Sequence, residues 1–210
     1  MIYGGGAMKD MEILALYVMP IAKFNASEFV DYGRSLFNGQ IKLEQATKNI
    51  GHKTSLENYN NTTKANAYPL ANSEPLKKFI CECAEQLTAT FGYDIALYKP
   101  SVKNIWLNEM VSGGSHALHN HYGSNYSGTF YVDVPEDSGT ISFDTLLTRF
   151  DKPSLDIKEF TQFNSNEWTL HPKQGDLFIW ESYVKHQVKP TKYKGKRRSI
   201  AFDVIMEYKN

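Results

Sequence analysis

Between residues 104 and 204 the chain alternates apolar with polar or small side chains in short runs. Each run is broken by glycine, proline or a cluster of polar turn formers. A period of two marks a strand with one buried face. Read this way, residues 104–111, 127–134, 139–143, 168–170, 177–180, a segment opening at His186, and 197–205 are strands, with turns at Gly113-Gly114, 135–139 and 173–176. The amino-terminal half has a different period. Leu76, Phe79, Ile80, Cys83, Leu87 and Phe91 recur at helical spacing, with Ser73 at the cap, Pro75 in the first turn and Gly92 placed to end the helix. A shorter helix is expected over residues 28–37, capped by Asn25 or Ser27 and ended near Gly39. Residues 11–21 form an apolar run interrupted by Pro20, which reads as an edge strand, and residues 1–10 read as a disordered lead.

Two helices followed by about eight short strands predict a mostly β protein with flanking helices, a jelly roll or barrel in a single domain. Residues 11–100 are expected to form the helical supporting part and 101–210 the jelly-roll core. Residues 42–73 are polar with little periodicity and read as a long surface segment able to act as a lid. Residues 146–166 could line a pocket.

Composition narrows the function classes. Lys plus Arg equals Asp plus Glu at 23 each, so the chain has no basic surplus to cover a phosphate backbone, and nucleic acid is an unlikely partner. Hydrophobic residues at 41% allow a real core, and 13 Tyr with 12 Phe favour strands. The two cysteines, Cys81 and Cys83, diverge on a helix and cannot pair, which fits a reducing compartment. No apolar run reaches the length of a membrane span and the opening glycines do not make a signal peptide, so a soluble, cytoplasmic protein is expected.

Three of the six histidines, His116, His119 and His121, fall within six residues. If His119 and His121 lie on extended backbone, their spacing points both imidazoles to one face. His186, far along the chain, is the natural third donor. Such a set suits a borderline metal ion with open positions, iron foremost. Arg197 and Ser199 share a strand face, where a guanidinium fork and a hydroxyl can grip a carboxylate.

These residues carry a resemblance. His119-x-His121, then Ser127-Gly128-x-x-Tyr131-x-x-x-Pro135, Pro172-x-x-Gly175-Asp176-Leu177-x-x-Trp180, His186-x-Val188 and Arg197-x-Ser199-x-x-Phe202 resemble, in order, the 2-oxoglutarate/Fe(II)-dependent oxygenase family over about residues 104–204. The resemblance implies a cupin-like double-stranded β-helix that uses Fe(II), 2-oxoglutarate and O2, releases succinate and CO2, and oxidises a second substrate, most simply by hydroxylation. It makes His119 and His186 metal ligands, and Arg197 with Ser199 the holders of the distal carboxylate. The wider superfamily places an acid two residues after the first histidine, where this chain has His121. The third ligand is then His121, or an acid elsewhere such as Asp144, or the position stays open; His121 is favoured. Asn108 and Tyr131 are candidate pocket-lining residues, with sheet packing the plain alternative. Trp106 and Trp180 read as core, His52 as surface, and His116 and His171 have no assigned role.

Two other readings stay in play: a three-histidine cupin-type metal enzyme that does not use 2-oxoglutarate, and a jelly-roll binding module without chemistry. The substrate, a small molecule or a protein side chain, is not legible, and an amino-terminal edge strand could support a homodimer.

Overall fold

The computed structural model describes residues 18–38, 70, 72–144, 155–161 and 163–209, and the backbone pairing alone of residues 44–45, 52–54, 56–57 and 66–67. The lead at 1–10, the apolar run up to Tyr17, most of the proposed lid and residues 145–154 lie outside the described residues. In chain order the elements are β1 (Ala22–Asn25), a 3-10 turn Ser27–Phe29 running into α1 (Val30–Asn38), β2 (Glu44–Gln45), β3 (His52–Thr54), β4 (Leu56–Glu57), β5 (Asn66–Ala67) and α2 (Glu74–Thr90). They continue with β6 (Tyr98–Met110), β7 (His116–His119), β8 (Tyr126–Asp133), β9 (Ile141–Asp144), β10 (Glu167–Leu170), β11 (Asp176–Glu181), β12 (His186–Val188) and β13 (Arg197–Tyr208).

The strands form a seven-stranded sheet in the order β1-β11-β8-β13-β6-β3-β2 and a four-stranded sheet in the order β10-β9-β12-β7, while β4 and β5 pair with each other. Each pairing is antiparallel, which gives the jelly roll with flanking helices. The large sheet buries both of its faces, and the period-two alternation sorts side chains between them. On β13, Ile200, Phe202 and Val204 join Phe130 and Val132 of β8 and Leu177 and Ile179 of β11 in a core shared with the helices. The other face meets the small sheet through Tyr131, Phe178 and Trp180, packed with Ile141, Phe143 and Val184.

The helices match their sequence signals closely. α2 turns Leu76, Ile80, Cys83, Ala84 and Leu87 inward, and Gly92 beyond its end takes φ 81°, the left-handed conformation that closes a helix. Ser73 precedes the helix but does not cap it by side chain. Its hydroxyl donates instead to the Leu70 carbonyl at 2.6 Å, tying the approaching chain to the helix start. Asn25, one of the two expected caps of the first helix, accepts from the Ser27 amide at 3.0 Å and the Ser27 hydroxyl at 2.6 Å.

The expected edge strand over residues 11–21 lies mostly outside the described residues; past Pro20, Ala22–Asn25 pair along the sheet edge, from Ala22 opposite Ile179 to Asn25 opposite Asp176. Proline offers no amide to a ladder, and within residues 18–25 the pairing begins past it. The β6–β13 ladder is longer than expected, running from Met110 opposite Arg197 to Tyr98 opposite Tyr208, whose rings lie 4.7 Å apart and whose hydroxyls are bonded at 3.0 Å. That outer end mixes Lys99, Ser101 and Glu207 with Pro100, Ile205 and Met206, so no clean alternation marks it.

Gly128 in the middle of β8 has a packing reason. A Cβ there would fall against the Phe202 ring and 2.5 Å from the Phe178 carbonyl oxygen, so only glycine lets Phe202 cross the strand.

Candidate metal centre

β7 ends at His119 and β12 begins at His186, and the antiparallel register sets these two residues opposite one another. Their ring centroids are 4.2 Å apart. His121 is not on the strand with His119, as period-two spacing implied: β7 has ended, and the His121 amide donates to the Ser182 carbonyl at 3.0 Å. Its ring still returns to the cluster, 5.1 Å from His119 and 5.2 Å from His186. What brings it back is Asp203 on β13, whose carboxylate lies 2.6 Å from His121 Nδ1. One ring nitrogen from each of the three histidines lies within 4.8 Å of the others.

Among the described residues no carboxylate completes this group. Asp144, the alternative ligand, stands next to Phe143, whose ring packs inward 6.2 Å from His186. Alternation along β9 therefore sends Asp144 to the opposite face.

Hydrogen bonds engage Nδ1 of each ring. His119 Nδ1 lies 2.7 Å from the Ala117 carbonyl, His186 Nδ1 lies 3.2 Å from the Val184 carbonyl, and His121 Nδ1 faces the Asp203 carboxylate. Those oxygens only accept, so each Nδ1 carries a proton, and a metal ligand drawn from these rings would be Nε2. Burial, reinforced by His119 and His121, holds His186 well below the usual imidazole range, so its ring is neutral. Burial by itself would raise the Asp203 carboxyl, but the bond to His121 and those from Asn104 and Ser127 outweigh it and hold it ionised.

On the same cavity lies a buried cation that pairs with no carboxylate among the described residues. Arg197 is 3% exposed. Its guanidinium stacks 5.1 Å from the Tyr131 ring centroid, Nη1 approaches Met110 Sδ at 3.7 Å, and Nε has no partner. No carboxylate pairs with it among the described residues, because Glu109 and Asp133 are taken on the other face by Arg198, with Glu109 also bound by Lys196. Tyr131 cannot supply the charge. Burial pushes its phenol up, Arg197 only moderating the rise, so the hydroxyl stays protonated. Ser199, on the same face of β13, lies opposite Asn108 on one side and Tyr131 on the other. His119, His121, His186, Arg197, Ser199, Asn108 and Tyr131 all line one cavity, so the fold brings together every site residue expected from the sequence.

Three residues acquire roles that the sequence reading did not give them. Asp203 is the first, and β13 carried the signal, since positions 197, 199, 201 and 203 share a face. Trp106, buried as expected, also lines the cavity, with its ring 5.6 Å from His121 and its Nε1 unpartnered. His116 stacks on His119 at 4.0 Å. Trp180 is core as expected, edge-on to Phe143 at 5.0 Å and to His186 at 4.8 Å. His171 is exposed, and the side chain of His52 lies outside the described residues.

Comparison with known proteins bears on this arrangement. Residues 104–203 match the family described as "Putative 2OG-Fe(II) oxygenase". The match spans just under half of the chain, and over those residues the chain is similar to that family. Its cofactors are Fe(II) and 2-oxoglutarate, with dioxygen as co-substrate, and the cavity fits them. Three imidazole donors suit a borderline divalent ion, and a buried guanidinium that pairs with no carboxylate among the described residues, beside a serine, suits a dicarboxylate tail. No curated protein matches the chain. Solved structures do. An oxidoreductase of the 2OG-Fe(II) oxygenase family from Burkholderia pseudomallei is 10% identical with a TM-score of 0.61, covering 88% of this chain and 84% of its own. A prolyl-4-hydroxylase from Pseudomonas putida is 14% identical with a TM-score of 0.54, covering 91% and 94%. HygX from Streptomyces hygroscopicus, solved with nickel, 2-oxoglutarate and hygromycin B, is 12% identical with a TM-score of 0.55, covering 89% and 82%. At these identities the likeness speaks to the fold. Among the described residues no helix is long and apolar enough to cross a membrane.

Proposed function

We propose that this chain is an Fe(II)- and 2-oxoglutarate-dependent dioxygenase that hydroxylates a substrate of small-molecule or protein side-chain type. His119, His121 and His186 would hold the metal through Nε2, and Arg197 with Ser199 would hold the distal carboxylate of 2-oxoglutarate. When bound, iron and the keto acid supply the oxidising chemistry: 2-oxoglutarate, O2 and a C–H group become succinate, CO2 and a hydroxylated product. The protein's own part is to orient and to keep water out. Arg197 and Ser199 set the direction of the co-substrate, Tyr131 stacks on the guanidinium and limits its movement, and Trp106 and Trp180 wall the imidazoles. Two free cysteines and the absence of a long apolar helix among the described residues are in keeping with a cytoplasmic setting.

The observation that carries this reading is Arg197. A buried guanidinium with an unmade Nε bond is costly unless something anionic completes it. A three-histidine metal enzyme that does not use 2-oxoglutarate would give Arg197 no partner. The test is anaerobic reconstitution with Fe(II) and 2-oxoglutarate, followed by oxygen and measurement of succinate. Slow uncoupled turnover is expected without any second substrate, and Arg197→Ala should abolish it. Turnover of another substrate by the iron-loaded protein that is indifferent to Arg197→Ala would transfer support to the enzyme without 2-oxoglutarate.

A further inference from the structure

We infer that Asp203 is a positioning residue for the metal site: bonded to Nδ1 of His121, its carboxylate fixes that ring's tautomer and supplies, from one imidazole away, the negative charge that the three-histidine cluster lacks. The inference rests on the reading of His119, His121 and His186 as metal ligands.

His119 and His186 reach the cluster from paired strands, so the ladder itself aims them. His121 has no such support. It lies past the end of β7, held by one backbone bond to Ser182. Its ring orientation is set by the 2.6 Å contact with Asp203, shorter than the Nδ1 contacts of His119 at 2.7 Å and His186 at 3.2 Å. Asp203 is itself clamped. Ser127 Oγ donates to Oδ1 at 2.9 Å, and Asn104 Nδ2 donates to Oδ2 at 3.1 Å. Ser127 Oγ also bonds Ser182 Oγ at 2.8 Å, which joins the clamp to the residue that anchors the His121 backbone. Asp203 is 6% exposed, in the central strand of the large sheet.

A buried carboxylate aimed at a ligand histidine does two things. It keeps the proton on Nδ1, leaving the Nε2 lone pair for a metal, and it makes that lone pair more basic. It also places one negative charge within reach of a divalent cation otherwise met by neutral donors. Charge that would sit on a ligand is moved outward by the length of one ring.

The test uses the full chain without metal and needs no substrate. Ring-nitrogen NMR should show His121 protonated at Nδ1 and unprotonated at Nε2. Titration with Co(II) alone, followed by its visible absorption, should show Asp203→Asn binding about 10–100-fold more weakly than the unsubstituted protein. Ser127→Ala, which keeps the charge and loosens the clamp, should fall between the two. A proton on His121 Nε2 in the unsubstituted protein overturns the inference, whether or not Asp203→Asn folds. Equal cobalt affinity in the folded Asp203→Asn variant overturns it alone. Failure of the unsubstituted protein to bind cobalt at all removes the metal-site reading, and this inference with it.

Discussion

His119 and His186 stand directly opposite one another on antiparallel strands β7 and β12, ring centroids 4.2 Å apart. Directly opposed residues of such a pair have Cβ atoms about 4.5–5.5 Å apart, so the ladder brings the two imidazoles together before any metal is present. Either substitution, His119→Ala or His186→Ala, should abolish succinate formation. The loss of Co(II) affinity should exceed the roughly 10–100-fold that outer partners command. Cobalt titration of the two variants checks this, and a variant that retains wild-type affinity would remove that histidine from the ligand set.

Arg197 gives a prediction in two directions. Removing its guanidinium should weaken 2-oxoglutarate binding by about 2–5 kcal/mol, the usual cost of truncating one partner of a buried charge pair. Arg197→Met, similar in length and uncharged, should leave the co-substrate-free protein as stable or about 1 kcal/mol more stable, because the unpaired Nε disappears. Thermal unfolding with and without 2-oxoglutarate reads both at once. The unliganded midpoint holds or rises, and the stabilisation by ligand vanishes.

Glu109 ties folding to pH. Burial by itself would raise its carboxyl, but Lys196 and Arg198 outweigh burial and hold it below the usual range. A depressed folded pKa means that the charged form stabilises the fold. That stability is fully present above the unfolded value near 4.3 and is lost as pH falls through the lower folded value. Glu109→Gln should therefore cost about 2 kcal/mol at neutral pH, discounted for the partly exposed Lys196 and Arg198. The gap to wild type should close below about pH 4. Urea unfolding at a series of pH values measures it, and a gap that is constant with pH would dismiss the ion pairs as its source.

Gly128→Ala should destabilise by about 3 kcal/mol. The new methyl would meet the Phe202 ring and the Phe178 carbonyl in the middle of the large sheet, where neither neighbour can withdraw. The drop should appear in the denaturant midpoint with little change in slope. Cobalt binding in the remaining folded protein should survive, since Phe202 packs on the helix side of β13, away from the imidazoles.

Much of this protein was legible before any coordinates. Local patterns belong to the backbone's own geometry, so period two and period 3.6 were enough to find α2, the β8 and β13 strands and the jelly-roll class. They were also enough to place Arg197 and Ser199 on one face. The spacing of His119, His121 and His186 pointed to a common ion, and all three rings do meet. What the sequence could not decide depends on which distant strands become neighbours. His121 leaves the strand and is returned to the cluster by Asp203, 82 residues away. Trp106, buried as expected, also walls the cavity because β6 runs beside β13, and Asp144 faces away from the imidazoles because Phe143 takes the inward position. Alternation along a strand fixes which side chains share a face, whereas sheet order and register decide what that face meets. Those follow from long-range pairing, which no local spacing encodes.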